Sequence, residues 1–180
     1  GRGLERDDVF LFQCAPGTTC AGVFTSSSTA SADVQWCRDA LKNGAGHGAA
    51  LVVNSGNSNA FTGPKGALEN EATLAAMVAA LSVDKDQCFL AATGVIGEPL
   101  DDANYFGSNV PKLASEPIDP VWEACARAFM NTDTFPTGAG FAREIDAVPT
   151  TFSSIAKRSC LPAQTMATLF VSLFHVTAPN

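Results

Sequence analysis

Gly48-Ala49-Ala50-Leu51-Val52-Val53-Asn54 contains an unbroken apolar run over residues 49 to 53, closed by glycine on one side and asparagine on the other. A run of that length and composition predicts a buried strand. On its N-terminal side, Val34, Cys37 and Leu41 recur at helical spacing from Ser31 to Lys42, and Asn43-Gly44 provides a helix stop. On its C-terminal side, Leu68, Ala72, Ala75, Val78 and Ala79 mark a second amphipathic helix. Glu69 and Glu71 are expected in the first turn of that helix, where its dipole favours acids. Cys88 to Ala92 repeats the short apolar strand and leads into Thr93-Gly94, where a tight turn is expected. This alternation of strands and helices predicts a mixed, layered α/β fold.

The flanks extend the pattern. Asp8–Gln13 and Ala21–Phe24 are strand-like and separated by Pro16-Gly17, which suits a hairpin. Asp101–Leu113 is weakly helical, and Val121, Ala124, Cys125, Ala128 and Phe129 follow Pro120 in helical periodicity, with proline at a favoured start position. Pro136–Gly140 reads as a loop, followed by alternating strands over 141–148 and 151–156. Thr168–Val176 reads as a core strand. At 180 residues one domain over residues 1–180 is expected.

Eighteen acidic residues against eleven basic ones leave a net charge of -7. Lys and Arg are scattered singly, which argues against nucleic acid and anionic membrane as partners. Six cysteines contain no CxxC spacing and read as free thiols in a reducing compartment. With no run near the ~18 apolar residues of a membrane span, the expectation is a cytosolic protein.

The glycine-rich segment Gly44–Gly48 follows a helix and enters a strand, the reverse of a phosphate loop, so it reads as a connector. His47 and His175 are the only imidazoles, and neither has a partner at metal-ligand spacing. The hydroxyl residues are more informative. Met166-Ala167-Thr168 precedes a strand, and cleavage before Thr168 would free an α-amine with an ordinary pKa of about 7.7 to 8, able to take the hydroxyl proton at neutral pH. Thr93-Gly94 could aim a hydroxyl and a backbone N–H at one tetrahedral oxyanion. Lys157, following a strand, could bind a substrate carboxylate.

Five segments fall together in order and spacing: Leu51–Gly63 (LVVNSGNSNAFTG), Ala92–Leu100 (ATGVIGEPL), Met130–Pro136 (MNTDTFP), Ile155–Lys157 and Met166–Leu169. In these the chain closely resembles the glutamate N-acetyltransferases, or ornithine acetyltransferases, of arginine biosynthesis. The resemblance implies an α-β-β-α sandwich akin to the N-terminal-nucleophile aminopeptidases, and a precursor that cuts itself between Ala167 and Thr168. Residues 1–167 would be the α-subunit-like portion and 168–180 the start of a β-subunit-like portion. Thr168 would be the nucleophile, Thr93 and Gly94 the oxyanion hole, and Lys157 a substrate contact. Asn131 stands where the family carries a substrate-binding threonine, and Arg158 and Cys160 stand where glycine is usual. No cofactor or metal is implied. The implied partners are N-acetylornithine and glutamate, with acetyl-CoA as a further candidate donor, and a companion β-subunit in a hetero-oligomer. The setting would be the cytoplasm, or the mitochondrial matrix in a eukaryote. The rival readings are an N-terminal-nucleophile amidase or aminopeptidase of similar fold and a non-catalytic interaction subunit.

Overall fold

A computed structural model describes residues 7–100, 102, 105–118, 121–128, 130, 135–158 and 170–177, with side chains left out at 158 and 170–175. In chain order the elements are β1 (Val9–Gln13), α1 (Ala32–Asn43), β2 (Ala50–Ser58), α2 (Pro64–Leu81), β3 (Cys88–Ile96), α3 (Tyr105–Ser115), α4 (Trp122–Ala128), β4 (Thr137–Ile145), β5 (Val148–Arg158) and β6 (Phe170–Thr177). A single 3-10 turn, Lys85–Gln87, leads into β3. The chain divides into two compact units, Gly1–Pro117 and Ile118–Asn180. The partition at residues 167 and 168 lies outside the described residues.

In the first unit the sheet has the order β1-β2-β3, with β1 antiparallel to β2 and β2 parallel to β3. The parallel pair needs a crossover, which α2 provides. Ala50, Val52, Cys88 and Leu90 from the strands pack with Leu74 and Met77 of α2 and Phe106 and Val110 of α3 to form the core. Helix α1 begins where Ser31 accepts a hydrogen bond from the Val34 N–H, and ends at Gly44, as the spacing predicts. It also protects the outer edge of β3. Trp36 Nε1 donates to the Cys88 carbonyl at 2.9 Å, while Cys37 Sγ donates to the Leu90 carbonyl at 3.1 Å and accepts from the Leu90 N–H at 3.3 Å. Side chains thus meet backbone groups that an edge strand would otherwise leave open. Burial pushes the Cys37 thiol up to about 12, so it stays protonated and serves as a small hydrogen-bonding core residue.

Several expectations are corrected. Ala21–Phe24 is not a strand: β1 pairs with β2 instead, and Val23 is fully exposed with nothing to pack against. Strand β2 continues five residues past Val53 through the polar stretch to Ser58. Helix α2 starts at Pro64, so Glu69 and Glu71 fall beyond its first turn. Thr93-Gly94 lies inside β3, and the turn comes at Gly97, whose φ of +79° suits glycine and whose N–H bonds the Ala60 carbonyl at 2.9 Å.

In the second unit β4, β5 and β6 form an antiparallel sheet in that order. The expected loop at Pro136–Gly140 is mostly strand, because Gly138 and Gly140 lie in register with Ile155 and Ser153 of β5. Phe141 and Phe152, directly opposite one another, stack with ring centroids 4.7 Å apart. The terminal strand expected over 168–176 is described over Phe170–Thr177.

Leu74 is completely buried at the centre of the first core. Leu74→Ala is expected to cost about 2–5 kcal/mol in a denaturant titration. A loss below about 1 kcal/mol would contradict the assignment of this layer as the core.

Candidate functional site

Thr93 sits in β3 opposite Ser55 of β2, and Gly94 opposite Gly56. The Thr93 side chain is 1% exposed, and its Oγ1 has no hydrogen-bond partner among the described residues. A buried hydroxyl without a partner costs about 1–3 kcal/mol, so such a group calls for an explanation. The next residue is glycine for a steric reason. A Cβ on Gly94 would come within 2.4 Å of Gly56 C, 2.5 Å of Gly56 O and 2.6 Å of Asn57 N. Gly56 and Gly94 also share an unusual backbone, with φ of +156° and +155°. At this point in the parallel pair the Cβ direction of Gly94 runs into the neighbouring backbone, so only glycine fits.

Beside this contact lies a buried polar ladder. Asn54 Nδ2 donates to Asn57 Oδ1 at 2.8 Å, and Asn57 Nδ2 donates to Asn59 Oδ1 at 3.1 Å. Asn57 Nδ2 also reaches both Glu69 carboxylate oxygens at 3.5 Å. Asn59 Nδ2 then donates to Asp33 Oδ1 of α1 at 2.9 Å and to Asn70 Oδ1 of α2 at 3.0 Å. Asp33, Asn54, Asn57, Asn59 and Asn70 are all buried. Six of the side chains here, Asp33, Asn54, Asn59, Glu69, Asn70 and Thr73, border a cavity of only about 10 Å³, so the cluster is packed and offers no room for a metabolite. Burial pushes the Asp33 carboxyl up from its ordinary value of 3.8, against hydrogen bonds from Asn59 and Asn70. Burial likewise raises Glu69, opposed by hydrogen bonds from the Leu100 N–H and Asn57, while the Asp33 charge raises it further.

This ladder was not assigned a role from the residue pattern, although the Asn54–Asn59 stretch carried part of the family resemblance. The available signal was four polar residues, Asn54, Ser55, Asn57 and Ser58, continuing an apolar strand with no loop-forming proline.

In the second unit Lys157 lies on β5 and is 2% exposed. Ser153, Ile155 and Lys157 alternate onto one face of the strand. Ser153 and Ile155 border an open cavity of about 360 Å³ with Trp122, Glu123, Gly138 and Gly140. Thr168, Ala167 and Asn131 lie outside the described residues. His47 pairs with Thr19 in an isolated bridge, in keeping with a connector at Gly44–Gly48. Among the described residues, no three His, Cys, Asp or Glu side chains group as a metal site, and no helix is long and apolar enough to cross a membrane.

The family model of ArgJ matches residues 2–177. The chain belongs to the ArgJ family. It is 45% identical over 171 residues to the arginine biosynthesis bifunctional protein ArgJ of Nitrobacter winogradskyi, covering 94% of this chain and 41% of that protein. To the ArgJ protein of Bradyrhizobium diazoefficiens it is 43% identical, covering 96% of this chain and again 41% of the relative. The chain therefore spans about two fifths of the length of these ArgJ relatives. Its fold is the mixed α/β fold of solved ArgJ structures. The Bacillus halodurans ArgJ crystal structure aligns with a TM-score of 0.76 at 20% identity, over 93% of this chain and 84% of that one. Ornithine acetyltransferase from Mycobacterium tuberculosis, solved in complex with ornithine, aligns with a TM-score of 0.69 at 25% identity, over 91% of this chain and 84% of that one.

Two predictions follow from the geometry of the first unit. Gly94→Ala forces β3 away from the Gly56 carbonyl and should lower stability by about 2 kcal/mol or more, read by thermal or denaturant unfolding; an unchanged midpoint would contradict the close contact. Asp33 has a raised carboxyl pKa in the fold, so the folded state holds the proton more tightly than the unfolded chain. Its stabilising contribution is complete below the unfolded value and is lost as pH rises through the folded one. Asp33→Asn removes this dependence. The stability of the wild type relative to the variant should therefore improve as pH falls through the raised folded value towards the ordinary 3.8, and parallel curves would contradict the buried carboxyl.

Proposed function

We propose that the chain provides the nucleophile and the oxyanion-stabilising pair of an acetyltransferase that moves acetyl from N-acetylornithine to glutamate. The observation that carries this reading is the buried Thr93 hydroxyl beside Gly94, without a hydrogen-bond partner among the described residues, in a chain that belongs to the ArgJ family. A hydroxyl kept free of protein acceptors can donate to the charge that develops on a substrate carbonyl oxygen.

The proposed chemistry begins with cleavage of the Ala167–Thr168 peptide bond, which frees the Thr168 α-amine. That amine takes the proton as the Thr168 hydroxyl oxygen attacks the acetyl carbonyl of N-acetylornithine. Thr93 Oγ1 and the Gly94 N–H hold the tetrahedral oxyanion. Its collapse breaks the C–N bond, the departing ornithine amine takes the proton back from the α-amine, and acetyl-Thr168 remains as an ester. The glutamate amine attacks that ester in the second half-reaction, loses a proton to the α-amine, and leaves as N-acetylglutamate with the hydroxyl restored. Lys157 holds a substrate carboxylate and Asn131 contributes a substrate hydrogen bond. Acetyl-CoA is a further candidate donor, no cofactor takes part, and a companion β-subunit completes a hetero-oligomer in the cytoplasm.

The test is to incubate the complete protein with acetyl-labelled N-acetylornithine and map the label. The expected result is label on a peptide beginning at Thr168, with Thr168→Ala unlabelled. Thr93→Val should lower kcat by about 10²–10³ as one oxyanion donor is lost. Folded, processed protein that takes no label would overturn the proposal.

A further inference from the structure

We propose that Asn57 is a positioning residue for the Thr93–Gly94 pair, an inference that rests on the acetyltransferase reading above. Gly94 approaches the Gly56–Asn57 peptide so closely that this segment of β2 acts as the wall against which the 93–94 peptide lies. Glycine permits many backbone conformations, so a contact built from two glycines does not define its own geometry. Ladder pairing fixes the register, which places Gly56 opposite Gly94 and Asn57 opposite Val95.

The missing constraint comes from side chains. Asn54 and Asn57 flank Gly56, and the 2.8 Å bond between them spans it. Asn57 is in turn held from the other side by Asn59 at 3.1 Å and by the Glu69 carboxylate of α2. Asn59 carries the connection to Asp33 of α1 and Asn70 of α2. The peptide that Gly94 leans on is therefore tied to two helices through one amide. Asn57 is buried at 2% exposure and cannot itself be a freely accessible substrate contact. Its route to the chemistry runs through the backbone it locks. A purely structural amide would affect stability alone, whereas a positioning amide affects the rate of the acyl-transfer step through Thr93.

The test uses the complete protein and measures kcat, KM for N-acetylornithine and the single-turnover rate of acetyl-enzyme formation. Asn57→Ala is expected to lower kcat and the single-turnover rate together by about 10–100-fold, the scale of a misplaced catalytic group, with KM within about twofold of wild type. Leu74→Ala, a destabilised core variant, should keep kcat within about twofold under conditions where it is folded. The decisive comparison is a double-mutant cycle. Thr93→Val should cost clearly less in the Asn57→Ala background than in the wild type, because a displaced donor has less to lose. If Asn57→Ala does not fold, Asn57→Ser, which removes the Nδ2 donor without adding a charge beside Glu69, replaces it in the cycle. A wild-type kcat in the folded variant, or a full and independent Thr93→Val cost, overturns the positioning role while leaving the acetyltransferase reading intact. A wild-type protein that forms no acetyl-enzyme sinks both.

Discussion

The close contact between Gly94 and the Gly56–Asn57 peptide is the constraint on which the candidate site depends. Paired strands always lie backbone to backbone, but at Gly94 the positive φ aims the Cβ direction at the neighbouring Gly56–Asn57 peptide, and the register places a glycine on each strand at that point. Everything around the contact follows from it. Thr93, the residue before Gly94, is buried beside this contact, and the ladder of asparagines removes the conformational freedom that two glycines would otherwise have. Burying several amides and the Asp33 carboxyl, with Glu69 half-buried beside them, is expensive, and it is tolerated because the members hydrogen-bond one another.

The first unit divides the work along each strand. Residues 50–53 of β2 and 88–91 of β3 are apolar and pack with α2 and α3, which sets the position of the sheet. The following residues, 54–58 of β2 and 92–94 of β3, are polar or small and include the unusual backbone at Gly56 and Gly94. The apolar half supplies the free energy of folding and the polar half supplies geometry. Chemistry at the ends of parallel strands is a general feature of open α/β sheets, where the sheet provides a rigid base for groups beyond its core.

How much of this was legible in the sequence depended on the kind of burial. The apolar halves of β2 and β3 and helix α1 were plain, because their periodicity reflects contact with a core and Ser31 and Gly44 act as boundaries. The polar half of β2 was not, since buried asparagines and serines resemble a loop until their partners are known. Gly138 and Gly140 misled in the same direction: small residues that pair in β4 carry no hydrophobic signal. Ala21–Phe24 misled in the opposite direction, because apolar composition favours a strand but cannot supply a partner for one. The start of α2 at Pro64 was missed, because regular apolar spacing begins only at Leu68 and drew the first turn to Glu69 and Glu71. Thr93 and Gly94 read as a turn and lie instead inside β3; their close packing on Gly56 is a tertiary fact that no local pattern encodes.

The central claim is that Thr93 Oγ1 and the Gly94 N–H form one cradle for a substrate oxygen. A crystal structure of the complete protein with a tetrahedral acetyl-transfer analogue bound measures this directly. The account predicts the oxyanion oxygen at about 2.7–3.1 Å from both donors, with the Gly56–Gly94 contact preserved. An analogue oxygen held by other groups, with Thr93 Oγ1 donating to a protein acceptor, would contradict it.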